Sequence, residues 1–350
     1  MCDGGGSAAE VRASVPRPAP GSAVDPIALK PVDEVRITTL VDNVFDALMT
    51  GDDRVTRMKM GVTWEAAPQF EGGRTEPGLL AEHGFAALVT VRRGGTTTTL
   101  LYDTARSRDA MVVNADRMGV DLSGIQGVVL SHGHFDHVGG IAGLAGRRGS
   151  RALPMVLHPG SWTPRRFAPP DGEIFEFPTL SKRAVEGEGF EVIERREPSL
   201  LVDGSVLITG EVDRTTDFER GMPPIHEAWT GSGWEHDALV RDDQALVVHV
   251  RDRGLVVLTG CGHAGVVNIV RHARRLTGVE RLHAFLGGLH LSGPAFEPVI
   301  PPTVAAFTEF APAMLVPAHC TGWRAQNALA AALPEAFLPG SSGSTYRLTA

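Results

Sequence analysis

Hydrophobic and polar residues alternate with period two over residues 35–41 (Val-Arg-Ile-Thr-Thr-Leu-Val), which predicts a strand and the start of ordered structure. Residues 85–93 alternate in the same way. They are followed by Gly94-Gly95 and a β-branched run over 96–102, the signature of a hairpin closed by glycines. Helical spacing over 109–118 stops at Gly119, a residue suited to a helix C-terminus. A short apolar strand at 127–130 then runs directly into Ser131-His132-Gly133-His134-Phe135-Asp136-His137. Val138-Gly139-Gly140 leads on into a helix. A second hairpin is expected from 244–250 and 255–258 around Asp252-Arg253-Gly254. In the helix expected over 264–276, Val266, Val267, Val270 and Ala273 share one face. A strand at 284–286, a helix at 304–310 and a strand at 314–316 complete an alternation that predicts the α/β (α+β) class.

Two stretches interrupt this regularity. Residues 51–82 are polar and glycine-rich around Trp64 and read as a long loop or lid. Residues 151–240 hold many prolines and three tryptophans, and read as loop elaboration around a pocket with short strands near 191–195 and 206–209. Residues 1–33 are rich in glycine, proline, serine and alanine and have no apolar segment behind a basic start. They are expected to be a disordered leader without a secretory signal, ahead of a catalytic domain over 34–350.

At 43% hydrophobic, 350 residues suffice for a full core. Acidic residues outnumber basic ones, 41 to 33, so a nucleic-acid partner, which needs a basic surface, is not expected. No apolar run of about eighteen residues spans a membrane. Cys2, Cys261 and Cys320 are odd in number and widely spaced, so no disulfide framework is expected and a cytoplasmic location is the simpler one.

The chemistry concentrates in His-Gly-His-Phe-Asp-His. In an extended segment residues two apart point the same way, so His132 and His134 can present nitrogens to one ion. Asp136 and His137 follow the turn and can face a second ion beside the first. Imidazole with carboxylate suits zinc, and iron and manganese accept similar sets.

This pattern, followed by Gly139-Gly140, resembles the signature of the metallo-β-lactamase superfamily. The resemblance implies a four-layer αβ/βα sandwich with metal held at one edge. Asp103, at the end of a strand, falls where that family keeps an aspartate that fixes the tautomer of a ligating histidine. Val316-Pro317-Ala318-His319 matches the final metal histidine. The bridging aspartate expected after Thr-Gly is replaced in Thr259-Gly260-Cys261-Gly262-His263. His263 is then implied as a ligand of the first metal, and Cys261 is either a thiolate ligand or a buried inert thiol. The phrases Glu82-His83-Gly84-Phe85, Asp243-Gln244-Ala245-Leu246, Gly287-Gly288-Leu289-His290-Leu291 and His319-Cys320-Thr321-Gly322 together resemble metallo-hydrolases of the 7,8-dihydropterin-6-methyl-4-(β-D-ribofuranosyl)aminobenzene-5′-phosphate synthase-like branch.

The resemblance implies a metal-dependent hydrolase with one or two zinc ions, acting on a small substrate, phosphorylated ones included, through metal-activated hydroxide. An iron-dependent redox enzyme of the same fold and the synthase reaction itself are the alternatives. Asp136 is expected to orient water. His290 is a proton donor, a further ligand, a substrate contact or a turn residue. Arg214 and Glu211, in a charged loop, are candidate substrate contacts. His83 has a weaker claim on the pocket. His158, His226, His236, His249, His272 and His283 show no partner pattern and read as surface or core residues. The expected partner is a small molecule, with further copies of the chain the one macromolecular association left open.

Overall fold

The computed structural model describes residues 25–148 and 151–350. Two sheets form its centre. The first has eight strands in the order Phe190–Glu194, Leu153–Leu157, Gly127–Val129, Thr96–Tyr102, Ala86–Arg93, Glu34–Val41, Thr345–Thr349 and Val55–Thr56. The second has six, in the order Ser199–Leu201, Val206–Ile208, Leu246–Val250, Gly254–Thr259, Leu282–Gly288 and Met314–Ala318. Side chains on a strand alternate between faces, and the sequence uses both faces. Val89, Val91, Leu100 and Tyr102 point from the first sheet toward Val206, Leu246, Val256 and Val316 of the second. Leu88 and Leu101 point the other way, onto the helices Ala110–Met118 and Ile141–Ala145. Behind the second sheet, Val247, Val257, Phe285 and Leu315 pack on Val266–Thr277, Ile300–Phe310 and Trp323–Ala332. The layers therefore run helix, sheet, sheet, helix: the expected αβ/βα sandwich.

The strongest sequence patterns lie close to the observed elements. The first hairpin pairs Arg93 with Thr96 across Gly94-Gly95, and Gly119 ends its helix at φ 67. The helix Ile300–Phe310 starts four residues earlier than expected, because Pro301 and Pro302 sit in its first turn, where no intrahelical donor is needed.

Three readings are corrected. Residues 1–24 of the expected leader lie outside the described residues, but 25–33 are packed: Ile27, Leu29 and Val32 are buried, and the Ile27 amide donates to the Leu276 carbonyl. The stretch 51–82 carries short strand pairs as well as loop. Residues 151–240 contribute strands to both main sheets and also fold a separate four-stranded sheet, in the order Phe175–Glu176, Arg165–Phe167, His226–Trp229 and Trp234–His236. Its strands are two to four residues long, too short for period-two patterning to show.

The two main sheets are tied by a hydrogen bond as well as by apolar contact. Buried Tyr102 donates its hydroxyl to the Gln244 carbonyl at 2.8 Å, and the Gln244 side chain donates to the Leu130 carbonyl at 2.9 Å. Burial pushes the Tyr102 phenol well above its ordinary pKa, so it stays a donor. Tyr102→Phe, which leaves that carbonyl without its donor, should lower unfolding free energy by about 1–2 kcal/mol in urea titrations. An unchanged midpoint would show that the hydroxyl does not help to tie the sheets.

Candidate metal centre

The loops at one edge of the sandwich bring together residues that are 187 positions apart in sequence, from His132 to His319. His132 follows the strand Gly127–Val129, and His134 caps a short helix, Phe135–Val138, that carries Asp136 and His137. The two glycines after this helix are required by close approach. A Cβ on Gly139 or Gly140 would overlap the carbonyl oxygens of Arg106 and Thr104. His263 stands in the loop between Gly254–Thr259 and the helix Val266–Thr277, and His319 directly follows Met314–Ala318.

Donor atoms gather in two adjoining groups. Asp136, His137, Cys261 and His319 each offer one atom within 4.8 Å of the others, and so do His132, Cys261 and His263. Cys261 is common to both. His134 stands beside the second group, its ring centroid 4.6 Å from that of His132 and 4.8 Å from that of His263. A third set, Cys261, His290 and Cys320, adjoins these.

Hydrogen bonds fix which imidazole nitrogen faces inward. Asp103 accepts from the Ser131 amide and hydroxyl, both at 2.7 Å, and from His137 Nδ1 at 2.7 Å. Because the Ser131 hydroxyl proton goes to Asp103, its oxygen accepts from His132 Nδ1 at 2.9 Å. His319 Nδ1 donates to Asn43 Oδ1 at 3.0 Å, and the His319 amide donates to Asp42 at 2.8 Å. Each of the three rings thus presents Nε2 to the centre. The Nε2 atoms of His132 and His319, and both nitrogens of His263, are buried without a hydrogen-bond partner. Buried polar atoms ordinarily find partners, so orphaned imidazole nitrogens side by side are what a cation site leaves when only protein is considered. The separations agree. His137 Nε2 lies 3.2 Å from Cys261 Sγ, and His319 Nε2 3.4 Å from Asp136 Oδ2. Ligands at about 2.0–2.3 Å on one tetrahedral ion stand roughly 3.3–3.6 Å apart. The donor set fits a divalent metal.

Electrostatics point the same way. Burial, reinforced by neighbouring histidines, holds His132, His134 and His263 well below the ordinary imidazole pKa, in the neutral form that binds metal. Burial opposes charge on His137 too, but Asp136 and Asp103 outweigh it and raise that imidazole to about 9. Burial likewise pushes the Cys261 thiol up. Backbone strain is found here too: Asp103, His290 and His319 are among the residues with left-handed φ, at 58, 49 and 49, values uncommon for residues with a side chain.

The remaining candidates fall elsewhere. Arg214 donates to the backbone carbonyls of His263 and Leu239, so it braces the His263 loop from behind. Glu211 faces His158 at 3.3 Å and Arg196 at 3.5 Å. Both line a separate cleft, and this corrects their reading as substrate contacts. The cavity that reaches the centre, about 330 Å³, is bordered by His263, His290, Met222, Arg220, Leu291 and Phe296. His83 stands at the rim, 3.5 Å from Asp136 Oδ2, its Nδ1 accepting from Asn43 Nδ2. Asp42, Asn43, Asp242 and His226 were not legible as site residues. Asp42-Asn43 is an ordinary strand-end pair, and Asp242 reaches the metal-motif turn through the Gly133 amide, at 2.8 Å.

A sandwich of this layering with a histidine-rich edge defines a metallo-β-lactamase-type protein, and residues 81–204 match the metallo-beta-lactamase superfamily. The match lies in those residues, and the fold of that superfamily implies a divalent metal. It is 27% identical to the 7,8-dihydropterin-6-methyl-4-(beta-D-ribofuranosyl)-aminobenzene-5′-phosphate synthase of Methanocaldococcus jannaschii over 252 residues, 71% of this chain and 83% of that protein. An uncharacterized protein of the same organism is 26% identical over 72% of this chain and 88% of its own length. Among solved structures, Tm1679, titled a metal-dependent hydrolase of the beta-lactamase superfamily, superposes with a TM-score of 0.65. It covers 90% of this chain and 100% of its own at 23% identity, a likeness of fold.

Asp103→Asn keeps the size of the side chain and removes the charge that orients His137. Zinc affinity, read by competition with a chromophoric chelator, should fall about 10–100-fold with circular dichroism unchanged. Equal affinity would show that Asp103 only supports the strand end.

Proposed function

We propose that the chain is a zinc-dependent hydrolase of a small molecule, phosphorylated substrates among them, working in the cytoplasm. The observation that carries this reading is the pair of donor groups sharing Cys261, with inward-facing imidazole nitrogens that lack partners, at the mouth of a cavity large enough for a small ligand. His132, His134 and His263 would hold one ion and Asp136, His137 and His319 a neighbouring one, with the Cys261 thiolate between them. Zinc bound there supplies an acidified water and a Lewis acid for a carbonyl or phosphoryl oxygen.

The chain's own residues do the rest. Asp136 is buried but lies 3.5 Å from half-exposed His83, where its carboxylate would accept from a water. Burial raises its pKa, but His137 and His319 outweigh burial and keep it ionised well below the usual carboxylate range. His83, with Nδ1 occupied as an acceptor, carries its proton on Nε2 toward Asp136. His290 packs between His263 and Phe296, at centroid distances of 4.2 and 4.5 Å, on the cavity wall. Its buried Nδ1 has no hydrogen-bond partner, which supports a role for His290 as the proton donor to a leaving group. Met222, Leu291 and Phe296 keep that wall apolar and exclude water.

Two other readings keep the same site. The identity to the M. jannaschii synthase supports the synthase reaction as a second reading, and the thiolate-bearing donor set also accepts iron. Metal analysis and the absorption spectrum of protein purified without added metal separate zinc from iron. Assays on phosphodiesters, lactones and pterin phosphates separate hydrolysis from synthesis. His134→Ala and Asp136→Ala should each abolish activity and reduce metal uptake with the fold intact. Full activity in both variants would end the proposal.

Metal uptake should also depend on pH in a fixed direction. In the metal-free protein His137 is protonated below about pH 9 and Cys261 is a thiol, so a cation must displace protons. Apparent zinc affinity should rise from pH 6 to pH 9, with protons released into weakly buffered solution. Uptake without proton release, or weakening as pH rises, would contradict the assignment of these two ligands.

A further inference from the structure

His132, His137 and His319 share one wiring: Nδ1 donates to a fixed oxygen and Nε2 faces the centre. A fourth histidine, outside every motif, is wired the same way. His226 Nδ1 donates to the Asp237 carbonyl at 3.0 Å, which fixes the tautomer and leaves the Nε2 lone pair free. That Nε2 lies 3.3 Å from His134 Nε2. The residue is 0% exposed, its ring set against Phe167 and Phe177 at centroid distances of 5.6 and 5.8 Å.

The separation is informative. At 3.3 Å the pair is within reach of a long ring-to-ring hydrogen bond, just beyond the usual range of about 2.7–3.2 Å for N–H···O bonds. Two imidazole nitrogens at about 2.0–2.1 Å on one tetrahedral zinc stand roughly 3.3–3.4 Å apart. His134 is itself flanked by His132 and His263, which together supply three of the centre's neutral imidazoles.

We infer that His226 is a metal ligand that shares a cation with His134, so that the small inserted sheet supplies part of the first metal position. This rests on the proposal above that the centre binds metal. His226 begins the strand His226–Trp229 and pairs in register with Phe167 of the neighbouring strand. The sheet is already anchored nearby, because Arg165 on that strand is ion-paired with Asp242, which holds the Gly133 amide of the His132–His134 turn. A cation shared by His134 and His226 therefore staples the inserted sheet to the edge of the sandwich. With His132 and His263 it would have four imidazoles beside the shared Cys261 thiolate, a filled set with no position left for water. The position open to solvent is then the one at Asp136, beside half-exposed His83.

The test uses full-length protein and zinc or cobalt alone. In nitrogen-15 spectra of the wild type, zinc should move His226 Nε2 to the metal-bound range while Nδ1 stays protonated. His226→Gln and His226→Ala should weaken the first equivalent of metal at least tenfold and shift the visible bands of the cobalt form. His226 resonances that ignore zinc in a metal-loaded wild type, with cobalt spectra of the variants matching the wild type, overturn this inference alone and leave His226 hydrogen-bonded to His134. A wild type that takes up no metal overturns the inference and the proposed function together.

Discussion

One buried carboxylate organises the edge of this sandwich. Asp103, fully shielded from solvent at the end of the strand Thr96–Tyr102, accepts three hydrogen bonds, and each sets something the site needs. The Ser131 amide fixes where the metal-motif loop leaves its strand. The Ser131 hydroxyl, by giving up its proton, dictates the tautomer of His132. The bond to His137 Nδ1 turns Nε2 of that ring toward Cys261. An unpaired charge in such a place would cost several kcal/mol, so the loop, the serine and the histidine must all take up their positions for Asp103 to be tolerated. Its left-handed backbone is the visible cost of that arrangement.

The same economy recurs around the centre. Asp42 and Asn43 do for His319 what Asp103 does for His137, from the end of a different strand. Arg214 and Asp243 hold the His263 loop by its backbone, one through the His263 carbonyl and the other through the Ala264 amide. The ligand-type side chains are therefore positioned by residues that never face the cavity. Both halves of the sandwich contribute: the first sheet brings His132, His134, Asp136 and His137, and the second brings Cys261, His263 and His319.

Much of this was legible in the sequence, for identifiable reasons. The long strands and helices bury one or both faces against large layers, so their hydrophobic period is strong. The metal motif is compact, four ligand-type residues in six positions, and His263 and His319 each follow an apolar strand. Illegible features had weak or nonlocal signals. His226 lies in strands too short to show a period, and its partner His134 is 92 residues away. Asp42 and Asn43 act on a histidine 276 or more positions later. Arg214 looked like a substrate contact because a charged loop residue carries no mark of whether its guanidinium faces a cavity or a neighbouring carbonyl.

The crowd of inward-pointing lone pairs has a thermodynamic consequence. Without a cation, several buried imidazole nitrogens lie close together with nothing between them, and the folded state carries an uncompensated desolvation cost. A metal ion that binds only the folded chain relieves it, and by mass action each tenfold rise in free ion above the dissociation constant adds about 1.4 kcal/mol to stability. The persistence of this fold is then tied to the metal supply of its surroundings, and scarcity would threaten the scaffold as well as the chemistry.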